Sequence, residues 1–319
     1  MLKGVLAILL VLSPVSALAV EIPVLETALT LRVIPANPAP GSTVTVRAEN
    51  VSAAGGAMFV WRVNGAVVDQ GVGVEAITAG VGNAGSATTV SVSVSGNGVS
   101  AEDSVTIRPA SVDIVWEGDT YVPPWYLGRP LMNGSGTATF TAVPEIIQGG
   151  VRVPPANLVY SWYVNHSATP EHFGYGLRTI TLTTPQFENP FTVSVVVETT
   201  DGAVRAENNV TVEPVRPVIA VYERAPLFGL RTERGVGDEV RLAEDEITFV
   251  AHPFFVNDLS GPDYAWSIDG NPVEETGRTV RELTLRREGE GGGRFYVAFA
   301  LEHAQLLFER ATQNFLLTF

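Results

Sequence analysis

The sequence predicts an all-β protein: three tandem antiparallel β-sandwiches behind an N-terminal signal peptide. Three observations predict it. Apolar and small hydroxyl residues alternate with period two along most of the chain. A Trp-centred strand and turn recurs three times at nearly constant spacing. The first nineteen of the 319 residues have the composition of an export leader.

The leader comes first. Met1-Leu2-Lys3 is a short positive start, residues 4–12 are almost wholly apolar, and Pro14 breaks the run. Ala17-Leu18-Ala19 supplies the small-x-small pattern that places cleavage before Val20. The run is short for a spanning helix, which needs about 20 residues. An uncleaved anchor is the competing reading. No second apolar run of spanning length follows, so no membrane span is expected in the mature chain. The expected location is secreted or extracytoplasmic, at a cell surface or in a periplasm.

The repeat is the strongest signal. Phe59-Val60-Trp61-Arg62-Val63-Asn64-Gly65, Tyr160-Ser161-Trp162-Tyr163-Val164-Asn165-His166 and Tyr264-Ala265-Trp266-Ser267-Ile268-Asp269-Gly270 match one another, with the tryptophans 101 and 104 residues apart. A second marker begins at Ala101, Ala206 and Ala311, 105 residues apart both times. Two markers of one period set the domains: residues 20–109, 110–214 and 215–319. Val115-Trp116-Glu117 is matched to Val221-Tyr222-Glu223, and Phe140 to Pro144 is matched to Phe249 to Pro253. The proline-bearing junctions around Pro109 and Pro214 are short and stiff, which predicts an extended array.

Each unit reads as short strands. Thr43 to Ala48 puts Val44, Val46 and Ala48 on one face; Thr89 to Val94 and Thr192 to Val195 repeat the pattern. β-Branched residues on one face and hydroxyls on the other describe half-buried strands. Asn64-Gly65 and Asp269-Gly270 predict type I′ hairpins, whose central residues need positive φ. Glu302 to Leu307 has helical propensity, but register with the other units assigns it to a strand pair. Trp61, Trp162 and Trp266 are expected to centre the three cores.

The motif Trp-x-Val/Ile-Asn/Asp-Gly between alternating strands resembles bacterial extracellular immunoglobulin-like repeats, those related to the polycystic-kidney-disease type among them. None of the units carries a Trp-Asp-Phe-Gly-Asp-Gly stretch. The resemblance covers nearly all of the mature chain. It implies immunoglobulin-like domains that space, adhere or present ligands at a surface.

Composition excludes several chemistries. With no cysteine there is no disulfide, thiolate nucleophile or thiolate metal site. Lys3 is the one lysine, which removes lysine-base and Schiff-base chemistry from the mature chain. A net charge of −14 argues against nucleic acid as partner. No Gly-x-Ser-x-Gly elbow or phosphate loop occurs. His166, Glu171 and His172 fit no metal-ligand spacing, and Glu244-Asp245-Glu246 reads as a solvated turn. His252, matched to a valine of the second unit, reads as structural. No enzyme, cofactor or metal is expected.

The segment from Trp116 to Pro130 concentrates aromatics and prolines. Packing against its own or the neighbouring sandwich is the favoured reading of Trp116 and Trp125. Rings on a proline-stiffened loop also suit sugar faces or protein grooves. Tyr121, Trp125 and Tyr126 are therefore the candidate ligand-binding residues, with Trp125 and Tyr126 expected to be exposed. The third unit is the most densely charged, with Arg281, Arg286 and Arg287 near Glu282 and Glu288. Cross-strand pairing is the default reading there. The expected function is a non-catalytic structural or adhesive module that spaces and presents binding loops. The alternatives are a carbohydrate-binding module using the aromatic loop, or an accessory subunit of an envelope machine such as a pilus or secretion apparatus. The expected partners are an envelope or surface protein or a cell-surface glycan.

Overall fold

The computed structural model describes residues 29–51, 56–96, 99–185, 189–274, 279–289 and 291–319. The expected signal peptide lies outside them. Three sets of facing sheets follow along the chain, each around its own apolar cluster.

The first set contains β1 (Thr30–Ile34), β2 (Thr43–Glu49), β3 (Met58–Val63), β4 (Ala66–Val72), β5 (Ala76–Gly80), β6 (Thr88–Gly96) and β7 (Val99–Ile107). Its sheets are β1-β2-β5 and β4-β3-β6-β7. The second contains β8 (Ser111–Gly118), β9 (Thr137–Glu145), a small hairpin of β10 (Ile147–Gln148) and β11 (Val151–Arg152), β12 (Val159–Val164), β13 (Ser167–Tyr175), β14 (Thr179–Thr183), β15 (Phe191–Glu198) and β16 (Arg205–Val212). Here β8-β9-β14 faces β13-β12-β15-β16. The third contains β17 (Val218–Ala225), β18 (Gly229–Leu230), β19 (Glu239–Arg241), β20 (Glu246–Phe254), β21 (Asp263–Ile268), β22 (Asn271–Val273), β23 (Glu282–Arg286), β24 (Arg294–Glu302) and β25 (Arg310–Thr318). Its sheets are β18-β17-β20-β23 and β19-β25-β24-β21-β22, with β19 parallel to β25. The fold is all-β, of tandem immunoglobulin-like antiparallel sandwiches. In each, the strand after the Trp strand hairpins back onto it and stays in the same sheet.

The period-two pattern explains the cores. Val90, Val92 and Val94 point inward from β6, as do Val193, Val195 and Val197 from β15, all nearly sealed from solvent. Trp61, Trp162 and Trp266 are at most 2% exposed and sit in the three clusters. Two of their indole N–H groups are satisfied: Trp61 Nε1 donates to the Val74 carbonyl at 2.7 Å and Trp162 Nε1 to that of Leu177 at 3.0 Å. Tyr160 and Tyr264, two residues before their tryptophans, donate their hydroxyls to Pro155 and Leu259 carbonyls, both at 2.9 Å. Burial pushes the Tyr160 phenol up to about 12.

The turn residue of the repeat has a specific job. Asn64, Asn165 and Asp269 have φ near +50° (50°, 49° and 49°), the left-handed region that Asn and Asp tolerate. Each side-chain Oδ1 accepts a hydrogen bond at 2.9 Å from the backbone N–H of Thr89, Thr192 or Tyr296, in the next core strand or at its start. Each backbone N–H also donates to the carbonyl of that same residue. One short side chain thus closes the hairpin and pins it to the neighbouring strand three times over. Glycine follows at positions 65 and 270, at φ 83° and 80°, whereas His166 holds φ 65° with a side chain.

Two expectations are corrected. Residues 302–307 are neither helix nor a full strand pair: β24 ends at Glu302 and a turn leads to Arg310. The correspondence of Trp116 with Tyr222 is out by one residue. Trp116 lies opposite Phe140 and faces the core, whereas Phe249 lies opposite Glu223 and Tyr222 opposite Val250. A shift of one residue moves a side chain to the other face of a sheet. Tyr222 therefore points away from its own core, and this positions the site below.

Candidate functional site

The chain between β8 and β9, residues 119–136, leaves the second sandwich and lies against the third. Its base is fixed by close backbone approach. Gly118 donates to the Pro130 carbonyl at 2.8 Å, and a Cβ there would fall inside the backbone of Leu131 and Met132. Only glycine fits. Thr120 Oγ1 donates to the Leu131 carbonyl at 2.8 Å, closing the loop on itself. Trp116 stays in the second core under the Arg129 guanidinium, 4.0 Å from its ring centroid.

Backbone bonds tie the loop to the third sandwich. Tyr121 N–H donates to the Val256 carbonyl at 2.7 Å, and Phe255 N–H donates to the Tyr121 carbonyl at 2.8 Å. Asn133, buried, donates through Nδ2 to the Phe255 carbonyl at 2.9 Å and to Asn257 Oδ1 at 3.0 Å. The Asn257 N–H is held by the buried Glu309 carboxylate, whose pKa burial raises. Val215 N–H donates to the Met132 carbonyl at 2.9 Å, so the connecting segment is also fixed.

The aromatic residues fill the space between. Trp125 meets His252 edge-on at 4.7 Å between centroids and Tyr222 at 5.9 Å. Tyr126 meets Phe254 at 5.7 Å and Phe255 at 5.8 Å. Tyr222, His252 and Phe254 all lie on the outer face of the β17–β20 pair. That face would be solvated in an isolated sandwich, yet Tyr222 and Val250 are buried. Glu282 is buried in the same row and ion-paired with Arg224. The His252 imidazole is held down at about 4, chiefly by burial and then by the Arg281 and Arg224 charges.

Of the candidate residues, Tyr121, Trp125 and Tyr126 do come together, but in a junction. The exposure expected of Trp125 and Tyr126 is not what is found: both are half-buried, because the exposed face of the next sandwich offers rings at matching height. The residues left bare nearby are others. Leu227 and Phe228, in the turn after β17, are 91% and 84% exposed. Sequence reading missed Tyr222 and His252 as partners. The signal was present: an aromatic and a histidine at outward positions of strands expected to show polar residues there.

The remaining candidates are dispersed. His166 sits in the β12–β13 turn and His172 on β13, and no group of three metal-ligating side chains forms among the described residues. Asp245 and Glu246 pair with Arg287 at 3.1 Å and Arg286 at 2.6 Å, an exposed cross-strand network. No described helix is long and apolar enough to cross a membrane.

No protein-family model matches the chain, and no curated protein matches it. Solved structures similar to it are tandem arrays of immunoglobulin or fibronectin-III type. The central fibronectin-III array of RIM-binding protein is 13% identical, with 91% of this chain and 95% of that one covered and a TM-score of 0.31. Sidekick-1 immunoglobulin domains 1–4 are 12% identical, covering 92% and 74%, at 0.24. A Bacteroides ovatus glucan-utilization protein, SGBP-B, solved with a mixed-linkage heptasaccharide, is 12% identical, covering 88% and 64%, at 0.23. At these values the likeness says nothing of what this chain binds.

Proposed function

We propose that this chain is an extracytoplasmic, non-catalytic immunoglobulin-like array that spans distance and presents its loops and edges to partners, with its second and third sandwiches locked as one piece. The observation that carries this is the aromatic loop. The segment most suited to ligand binding by composition is instead packed between two sandwiches. A sugar platform needs an accessible ring face, and Trp125 and Tyr126 are half-buried and each make two ring contacts across the junction. A spacer gains from such a lock, because a stiff joint holds its ends apart. Small-angle scattering of the full chain tests the role. An elongated particle about three sandwiches long is expected, and a compact one contradicts it.

A second reading, docking onto an envelope or surface protein, is favoured by β4. This strand forms one edge of its sheet and bears Val67, Val68 and Val72, 54%, 53% and 67% exposed, with Asp69 as its one charge. The matching edges are guarded by proline: Pro170 in β13 and Pro272 in β22. β4 has no proline, although a bulge at Val68 interrupts its pairing with β3, and an exposed apolar edge is a template for an added strand. A photo-cross-linker at Val68 that captures one stoichiometric envelope protein supports this reading. Capture of none removes it.

A further inference from the structure

The chain between the first two strands of a sandwich is where this protein reaches from one sandwich to the next. In the first unit it spans residues 35–42, and Asn37 Nδ2 donates to Glu207 Oε2 of the second sandwich at 2.9 Å. In the second unit it is the loop of residues 119–136, whose Tyr121, Trp125 and Tyr126 meet the third sandwich. In the third unit the same connection begins with Leu227 and Phe228, and these two adjacent apolar side chains are bare, 91% and 84% exposed.

The same end of the third sandwich holds a hollow. Arg224 lies opposite Thr248 and Glu246 opposite Arg286, so the tip at residues 226–228 and the end of β23 extend to one end of the sheet. There Leu242, Ile268, Leu285, Phe295, Leu317 and Phe319 line an apolar depression of about 210 Å³. Phe319 is held in its wall by stacking on Phe295, 5.5 Å between centroids, and by backbone bonds with Gly293 at 3.0 and 3.2 Å. An apolar cavity of about 150 Å³ holds benzene, so this hollow admits one phenyl ring. An exposed ring and a hollow of its size on the same end are self-complementary, which is the condition for a two-fold contact. Charge agrees. The rim carries both signs, Glu288 beside Arg286 and Arg287, which pair with Glu246 and Asp245. A mixed rim meets its own copy without the repulsion that a net charge of −14 imposes elsewhere. A head-to-tail contact has no such fit. The outward Tyr222 and Val250 that receive the second sandwich on the third are not repeated on the first, where Arg32 lies opposite Arg47.

We propose that this chain forms a two-fold dimer through that end of its third sandwich, the Phe228 ring of each copy seated in the partner's hollow and Leu227 packed at the rim. The dimer joins two arrays by their third sandwiches and leaves both first sandwiches, with their β4 edges, outermost. The contact goes beyond the spacer role, because it says what the far end of the spacer holds. It is small, so association is reversible and weak.

Sedimentation of the full chain over a dilution series tests it. A monomer–dimer equilibrium with Kd of roughly 1–100 µM is expected. Phe228→Asp, at an exposed position that the fold does not use, should weaken association about 30-fold or more. A photoreactive phenylalanine analogue at position 228, in a mixture of heavy- and light-isotope chains, should cross-link to residues 285–288 or 317–319 of a second copy. A single monomeric species at every concentration, an unchanged Kd in Phe228→Asp, or cross-links to other segments overturns the proposal. Small-angle scattering separates it from the spacer role. A rod about three sandwiches long at every concentration removes the dimer alone, whereas a compact particle at low concentration removes the spacer.

Discussion

Trp125→Ala is the perturbation that the junction geometry makes most informative. The indole contributes two edge-to-face ring contacts, at 4.7 Å to His252 and 5.9 Å to Tyr222. Such pairs contribute about 0.5–1.5 kcal/mol each beyond area burial. Half-burial of the indole adds about 1 kcal/mol more by apolar area. Removing it should weaken docking by about 2–4 kcal/mol, roughly 30- to 700-fold in the open-to-closed ratio. The backbone bonds of Tyr121 and Asn133 remain, so the domains should loosen rather than separate. Because the chain has no cysteine, labels can be placed at will. With Glu171→Cys and Arg310→Cys, both exposed, double electron–electron resonance should give one narrow distance distribution in the parent and a broadened one in Trp125→Ala. Trp125 belongs to neither neighbouring core cluster, so each sandwich should keep its fold. An equally narrow distribution in the variant would refute the reasoning.

Further expectations test other steps. His166→Gly should stabilise the chain by about 1 kcal/mol, read from thermal melts, because His166 carries φ 65° where its counterparts are glycines; a lower Tm would count against strain at that turn. Gly118→Ala should disrupt the loop base and expose Trp125 to quenching by acrylamide, and unchanged quenching would show that the backbone can yield. Trp162→Ala should cost about 3–5 kcal/mol in denaturant unfolding, the range for emptying an aromatic core site. Docking should weaken as pH falls. His252 is held at about 4 against an ordinary 6.5 by burial and by Arg281 and Arg224, with the Tyr222 and Trp125 rings against it. The undocked state therefore takes up the proton first, and the lock is at full strength above pH 6.5 and is lost progressively toward pH 4. His252→Asn should flatten that profile in the spin-label distances.

Local pattern carried the fold. Valine–hydroxyl alternation specifies which face of a strand is buried, and the Asn/Asp after each Trp strand names its own hairpin. The leader expected over residues 1–19, by contrast, lies outside the described residues. The junction was half legible. The loop announced itself through Trp125, Tyr126 and its prolines, but its partner surface is written in single outward-facing residues, Tyr222, His252 and Phe254, on strands far along the chain. A period-two reading assigns a face to each residue. It does not say which outward face another domain will cover. The slip of one residue between Trp116 and Tyr222 shows the same limit: similar letters sat on opposite faces because pairing register, not identity, decides burial.

The central claim is that the second and third sandwiches move as one body. Residual dipolar couplings from the full chain in a weakly aligning medium test it most directly. A single alignment tensor fitting residues 111–212 and 218–318 together is the predicted result. Two tensors of different magnitude for those segments would contradict it.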